Sequence, residues 1–304
     1  MTLDPSYLEY PKRGYGQDMD RHDWRLAKDR APKTLPGGAK LALAVVVPCE
    51  FHPINPSKDP FNHPAGMVTP YPDLRHFTTR DYGNRVGVFR ILKALKAAGV
   101  TATFPVSAAL LTRARPLIEA IQDDGHEIAA AGLHGDAIHH SGLTEADERA
   151  MVEKTRAAFD KAGLNPAAWM SPARQESFAT PDLLTEFGFS TVLDWETDQV
   201  PVAIRTANGP LHAVPVHNEL DDFKLLFERK QDEAVWRDQI LEAAAFLKAE
   251  HARYGAQVLG FTLTPFIAGQ PFRIRALEEM LSKLGGDGEI VSAGASRIAA
   301  LFSG

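Results

Sequence analysis

One short segment, from Ile128 to Leu143, combines the residue types that proton transfer and metal binding require. It reads IAAAGLHGDAIHHSGL, and its apolar beginning predicts a buried strand. Imidazole can transfer protons near neutral pH and can ligate zinc. The polar residues that follow the predicted strand are therefore the first candidates for a site: His134, Asp136, His139 and His140.

The elements that must position these side chains alternate between strand and helix along the chain. The run Lys40–Val47 predicts a buried strand, and strand and helix patterns then alternate roughly six to eight times. This alternation predicts one α/β barrel, with an open doubly wound sheet as the alternative. No glycine-rich nucleotide motif follows a strand, which weakens that alternative. In a barrel, residues after the carboxyl end of each strand share one site, and this rule selects Glu50 and the segments 131–140, 171–176, 194–198, 217–222 and 264–270.

Capping signals locate some of the helices. Thr144 lies three residues before Asp147 and predicts a helix that continues to Gly163. Val88, Ile91, Leu92 and Leu95 share one face of an earlier helix that Gly99 ends.

Composition limits the possible functions. The chain has 304 residues, of which 44% are hydrophobic and 24% charged, as in an ordinary folded domain. Its net charge is -6, and no Lys/Arg block is present, so we expect no nucleic-acid partner. No apolar run is long enough to span a bilayer, and the N-terminus does not resemble a signal peptide. A single cysteine, Cys49, fits a reducing compartment, and we expect a cytoplasmic protein.

Two segments lack helix or strand periodicity. Residues 1–38 are rich in Pro, Gly and charge and predict an arm packed on a catalytic domain of residues 39–304. Residues 51–80 predict a long loop, which in a compact domain is usually a lid or an interface segment.

Several of the selected residues suggest specific chemistry. Glu50 could act as a general base or a metal ligand, and Asp194 and Asp198 could divide acid and base roles. Arg174 could bind a substrate carboxylate or form a salt bridge at the rim. The acidic run that contains Glu219, Asp221 and Asp222 predicts a solvated loop, of which Glu219 is the best candidate for a site residue.

Seven segments resemble the polysaccharide deacetylase superfamily, in its branch of allantoinases and cyclic-imide hydrolases. In chain order they read PYPDLRHFTTRDYGNRVGVFRIL, GHEIAAAG, HHSGLTEADER, SPARQESFATPDLL, VLDWETDQVP, NELDD and TPFIAGQPFRIRAL. The resemblance implies an α/β fold with a single distorted (β/α)7-type barrel. It also implies hydrolysis of non-peptide C–N bonds in amides or cyclic amides, with a divalent metal in some members only.

The chain departs from this family at two positions. Relatives carry a histidine where this chain has Ala131, and a second histidine where it has Thr264. The first normally helps to bind metal and the second normally acts as a general acid. A methyl group offers no lone pair, and a threonine hydroxyl does not titrate near pH 7. The resemblance allows zinc, manganese or nickel, but these two replacements favour a protein without a bound metal.

The sequence and the resemblance together predict a set of site residues. The catalytic candidates are Glu50, Asp198, Thr264 and His140. The substrate-binding candidates are Arg174, Glu176, Trp195, Phe266 and Glu219. An incomplete metal site would use Glu50, His134 and His139.

Two hypotheses for the function follow. The first is a hydrolase that opens a small amide, cyclic imide or ureide. The second is a non-hydrolytic descendant, either a ligand-binding pseudoenzyme or a metal-independent isomerase or lyase. We expect a small-molecule substrate, no membrane partner, and self-association into a dimer or tetramer.

Overall fold

The structure is a computed structural model that describes residues 19–55, 72 and 74–303. In these residues nine strands form one curled, half-barrel sheet. Eight of the strands lie in the order β6-β7-β5-β4-β3-β2-β1-β8, and β9 pairs with β1. All pairings are parallel except that of β6 with β7. The strands are β1 Leu41–Val46, β2 Ala102–Val106, β3 Glu127–Ala130, β4 Ala168–Trp169, β5 Thr191–Val192, β6 Val202–Ile204, β7 Leu211–Ala213, β8 Gln257–Thr262 and β9 Ile290–Ser292.

Helices cover the outside of the sheet. They are α1 Leu74–Tyr82, α2 Val88–Ala98, α3 Leu110–Arg113, α4 Arg115–Asp123, α5 Glu145–Lys161, α6 Thr180–Glu186, α7 Glu233–Tyr254, α8 Pro265–Ala268, α9 Ile274–Gly285 and α10 Ala295–Phe302. In the part of the chain that is described, none of them is long and apolar enough to cross a membrane.

The predicted fold class is confirmed, and local signals explain several of its elements. Every residue of β1 is buried, as the continuous apolar run predicts for a strand covered on both faces. The Thr144 side chain accepts a hydrogen bond from the Asp147 backbone N–H and begins α5. Gly99 has a φ of 65° and ends α2, a conformation that costs glycine little.

The two sides of the half-barrel approach each other at a seam beside β8. The Val258 N–H donates to the Gln199 carbonyl at 2.8 Å, and the His217 N–H donates to the Gly260 carbonyl at 3.0 Å. A Cβ atom on Gly260 would lie 2.1 Å from the Pro215 carbonyl oxygen. Glycine is therefore required for this close approach.

A π-helical turn, Gly83–Gly87, joins α1 to α2 and packs on α8. A Cβ atom on Gly87 would lie 2.0 Å from the Pro265 carbonyl oxygen, so this contact depends on glycine. Within the turn, Asn84 Nδ2 donates to the Glu50 carbonyl at 2.8 Å. The turn thereby fixes the backbone that follows β1.

Three features differ from the sequence prediction or extend it. The predicted loop 51–80 ends early, because α1 already begins at Leu74; the loop's central part lies outside the described residues. Strand β6 and helix α10 extend the prediction, since β6 has only three residues and α10 only eight; the buried residues Ala295, Ile298, Ala299 and Phe302 share one face of α10. Residues 1–18 of the predicted arm also lie outside the described residues. Within the described part of the arm, Arg21 forms an ion pair of 2.7 Å with Asp182 of α6.

Candidate active site

A carboxylate and an imidazole meet just after β1. Glu50 Oε2 lies 3.5 Å from His52 Nε2, and the His52 side chain is almost fully buried. The ring lies against the backbone of Gly135, where a Cβ atom would come within 2.2 Å of it. Position 135 must therefore be glycine for the His52 ring to remain beside Glu50.

His134 lies close to this pair. Burial is the main cause of the lowered pKa of His134, the neighbouring Asp136 opposes it, and His52 contributes in the same direction as burial. The His134 Nδ1 atom is buried, and no residue of the described chain forms a hydrogen bond with it. His134 is thus a neutral imidazole at neutral pH, able to accept a proton or to donate a hydrogen bond.

His139 is held by a different partner. Its Nδ1 atom lies 2.9 Å from Glu148 Oε1, and both side chains are buried. Glu148 also accepts hydrogen bonds of 2.5 Å from the hydroxyls of Ser177 and Thr180. Burial raises the pKa of Glu148, but these three donors outweigh it and the net shift is downward. The charged carboxylate therefore fixes the orientation of the His139 ring.

The predicted metal ligands do not form a metal-binding group in the structure. Among the described residues, no three or more His, Cys, Asp or Glu side chains are arranged to hold an ion. Ala131, just after β3, is a buried methyl group that offers no lone pair. The described residues therefore do not fit the zinc, manganese or nickel that the resemblance allows.

Two carboxyl groups meet after β4 and β5. Both oxygens of Asp194 accept a hydrogen bond from the Ser171 backbone N–H at 3.0 Å. Glu176 Oε2 accepts one from Trp195 Nε1, also at 3.0 Å. Burial and then the adjacent Asp194 raise the pKa of Glu176 well above its usual range, and burial raises that of Asp194 as well. Joint ionisation of two adjacent buried carboxyl groups is unfavourable, so this pair retains a proton more strongly than isolated carboxyl groups do.

Arg174 lies between this carboxyl pair and the end of β7. Its Nη1 donates to Asn218 Oδ1 at 2.6 Å and its Nη2 to the Val216 carbonyl at 2.8 Å. The backbone has a φ of 56° at Ala173 and 53° at Arg174. Left-handed conformations cost non-glycine residues about 1–3 kcal/mol each and cluster at functional sites. Because both Nη groups donate to the protein, Arg174 braces the rim, and its buried Nε has no hydrogen-bond partner among the described residues.

The acidic run after β7 is not a solvated loop at its end. Asp222 is fully buried, and its Oδ2 accepts a hydrogen bond of 2.8 Å from the Thr264 backbone N–H. Burial and then Asp221 raise the pKa of Asp222 well above its usual range, while the Thr264 side chain and backbone oppose that shift. The expectation of a solvated run was wrong for Asp222, because this residue anchors the segment that follows β8.

Other predicted residues lie around the rim with their own partners. Asp198 Oδ1 pairs with Arg30 Nη1 at 2.5 Å, and the exposed Glu219 pairs with Arg229. His140 Nδ1 accepts from the Gly142 N–H at 3.1 Å. Phe266 lies under the Arg80 guanidinium, 4.9 Å from ring centroid to Cζ.

Sequence reasoning missed His52, Glu148 and the pair formed by Glu196 and His217. Glu196 Oε1 lies 3.1 Å from His217 Nδ1 after β7. The strand-end rule selected the segments that contain Glu196 and His217, so that pair could have been found. Nothing marks Glu148, because its position in a helix suggests an ordinary surface residue.

The sheet and its surrounding helices define an α/β fold with a half-barrel of mostly parallel strands. Residues 73–192 match the model of the family described as polysaccharide deacetylase. No protein with a curated description matches the sequence.

Solved structures show the same fold over nearly the whole chain. A protein assigned to the polysaccharide deacetylases from Mycobacterium smegmatis is 26% identical, with a TM-score of 0.72, and the match covers 89% of this chain and 93% of that one. Another, from Pseudomonas aeruginosa PAO1, is 23% identical, with a TM-score of 0.75 and coverages of 96% and 98%. Puue allantoinase is 23% identical, with a TM-score of 0.77 and coverage of 97% of each chain.

Proposed function

We propose that the protein is a hydrolase that cleaves the C–N bond of a small amide, cyclic imide or ureide. The family match at residues 73–192 supports hydrolysis as the reaction class. The fold shared with Puue allantoinase is consistent with a small cyclic ureide as substrate. The observation that carries the proposal is the Glu50–His52 pair at the carboxyl end of β1.

In the proposed reaction, Glu50 accepts a proton from a water molecule that attacks the carbonyl carbon. His52 lies beside the carboxylate and orients it. The negative charge that develops on the carbonyl oxygen is stabilised by hydrogen-bond donors, of which the Thr264 hydroxyl is our candidate. The C–N bond then breaks as the nitrogen is protonated, either by Glu50 or by the proton that the Glu176–Asp194 pair retains.

Asp198 has a different role in this proposal from the one its sequence position suggests. Its Oδ1 atom is bonded to Arg30 and accepts the Gln199 N–H at 2.6 Å. This carboxylate oxygen is occupied by the guanidinium and by the backbone N–H, so it is not directed at a substrate or an attacking water. His52 therefore assists Glu50 in place of Asp198.

The electrostatics of the rim favour a substrate without net charge. Glu50, Glu176, Asp194 and Asp222 all lie after the carboxyl ends of strands, and Arg174 is engaged by Asn218 and Val216. An anion would be repelled by the carboxylates that are ionised. A neutral imide or ureide avoids this repulsion and can accept the hydrogen bonds of the rim.

The test is a panel of neutral substrates assayed with the purified protein and with the Glu50→Gln variant. The panel contains succinimide, hydantoin, dihydrouracil, allantoin and an N-acetylglucosamine oligomer, and products are identified by mass spectrometry. We expect ring opening of at least one cyclic substrate by the wild type and not by the variant. Hydrolysis of the acetylated sugar alone would contradict the substrate class. If no substrate is hydrolysed, this result would contradict the proposal that the protein is a hydrolase and would favour the non-hydrolytic descendant.

A further inference from the structure

A second concave site lies at the seam of the half-barrel. A cavity of about 590 Å³ is enclosed by residues 22–33 of the N-terminal segment, residues 197–205, and the ends of α7 and α10. We call it the seam cavity. Its volume falls within the range of about 300–1,000 Å³ that is typical of small-molecule sites. Glu50 is not among its lining residues.

The seam cavity has an excess of positive charge. Its basic residues outnumber its acidic ones: they are Arg25, Arg30, Lys33 and Arg205 against Asp23 and Asp198. Asp23 is neutralised from both sides, with Arg205 Nη1 at 2.8 Å and Arg25 Nη2 at 3.0 Å. The Arg205 hydrogen bond is the main cause of the lowered pKa of Asp23. The excess charge therefore persists at neutral pH, and it favours an anionic ligand.

Arg30 supplies a donor that the protein leaves unused. Its Nη1 is paired with Asp198 at 2.5 Å, and its side chain is only 12% exposed. Its Nη2 atom is buried, and no described residue accepts a hydrogen bond from it. A buried guanidinium N–H without a partner is unfavourable, and a ligand oxygen that reaches Nη2 would supply the missing acceptor.

Aromatic side chains also line the seam cavity, beside several small and aliphatic residues. Trp24 lies at its edge with 81% of its surface exposed, and Tyr254 and Phe302 line it as well. An exposed tryptophan can cover a flat apolar surface at a small cost in conformational entropy. A cavity lined by both basic and aromatic side chains suits a ligand with an anionic group and a flat body.

We propose that the seam cavity binds a small organic anion, a carboxylate attached to a flat ring. The carboxylate would accept a hydrogen bond from Arg30 Nη2, and the ring would lie against Trp24. The Asp198–Arg30 ion pair holds the guanidinium in place, which is a role for Asp198 apart from the hydrolysis proposed above.

Isothermal titration calorimetry with benzoate tests the proposal, with benzamide as a neutral ligand of the same shape and inorganic phosphate as an anion without a ring. We expect saturable binding of benzoate and weaker binding of both comparison ligands. Arg30→Lys keeps the charge beside Asp198 and removes Nη2, so it should weaken benzoate binding by roughly ten- to a hundred-fold. Arg275→Lys, on the exposed face of α9, is the matched control and should bind as the wild type does.

Four outcomes would overturn the proposal. They are no benzoate binding at millimolar concentration, equal binding of benzamide, phosphate binding at least as tight as that of benzoate, and an Arg30→Lys variant that binds benzoate like the wild type. Repeating the titration with the Glu50→Gln variant separates this site from catalysis. We expect unchanged benzoate binding there, and loss of binding would place the ligand in the active site instead.

Discussion

His139 Nδ1 and Glu148 Oε1 lie 2.9 Å apart, and both side chains are buried. The histidine follows β3 and the glutamate lies in α5, so this bond ties the rim of the barrel to a helix outside it. It also determines what His139 can do. With Nδ1 bonded to a carboxylate, the ring has only Nε2 available, and that atom is buried without a hydrogen-bond partner among the described residues.

The Glu148→Gln variant should show what this bond contributes to stability. Because the folded-state pKa of Glu148 lies below its ordinary value of 4.5, its contribution is present above that pH and is lost as pH falls further. We expect the variant to be less stable than the wild type by roughly 1–3 kcal/mol at pH 7. The difference should shrink as the pH is lowered from 5 to 3, measured by urea unfolding. Glu145→Gln, exposed on the same helix, is the control; equal pH dependence in both variants would contradict the assignment.

The stability of the Glu176→Gln variant, relative to the wild type, should depend on pH in the opposite direction. The folded-state pKa of Glu176 is raised by burial and then by Asp194, so the folded protein keeps a proton that the unfolded chain releases above about pH 4.5. The wild type should therefore lose stability as pH rises through this window. The variant lacks this loss and should gain stability relative to the wild type between pH 4 and pH 8. Glu153→Gln, on the surface of α5, serves as the control, and a variant that weakens progressively with rising pH would refute the protonated pair.

Gly260→Ala should disrupt the seam. The new Cβ atom would lie 2.1 Å from the Pro215 carbonyl oxygen, and backbone on both sides leaves little room to adjust. We expect a loss of about 1–3 kcal/mol or more in the free energy of unfolding. Gly288→Ala is the matched control, because a Cβ atom there meets nothing within 4 Å. Similar stabilities of the two variants would show that β8 does not approach Pro215 so closely.

Thr264→Val tests the hydroxyl that replaces an imidazole. The substitution keeps the shape of the side chain and the backbone N–H bond to Asp222, and it removes the hydroxyl together with that hydroxyl's own hydrogen bond to Asp222. If that hydroxyl stabilises charge on the carbonyl oxygen, kcat/KM on the best substrate of the panel should fall by roughly 10²–10³. Thr112→Val, at an exposed position, should leave the rate unchanged. A Thr264→Val variant with full activity would assign charge stabilisation to another donor.

Much of the fold follows from the sequence because its signals are local. The buried run of β1, the Thr144 cap and the Gly99 stop each depend on a few neighbouring residues. The antiparallel β6 has three residues and little periodicity, and only its pairing with β7 makes it a strand.

The candidate site was less predictable, because its decisive contacts join distant segments. The strand-end rule placed Glu50, Arg174 and Thr264 correctly at the ends of strands. It could not show that His139 bonds Glu148, or that Asp222 is buried under Thr264. The acidic run appeared solvated because charged residues are usually exposed, and the hydrogen bond from the Thr264 backbone N–H overrides that tendency.

Metal-independent hydrolysis by Glu50 is tested most directly by kcat/KM on the best cyclic substrate, measured after exhaustive dialysis against a chelator. Glu50→Gln and Glu119→Gln are compared with the wild type, since Glu119 is an exposed carboxylate on α4. We predict that the dialysed wild type and Glu119→Gln keep their rate, while Glu50→Gln loses roughly 10²–10⁴ of it at unchanged stability. Full activity of Glu50→Gln would contradict the role of Glu50 as the general base. A dialysed wild type that recovers only when zinc, manganese or nickel is added would contradict metal-independent hydrolysis.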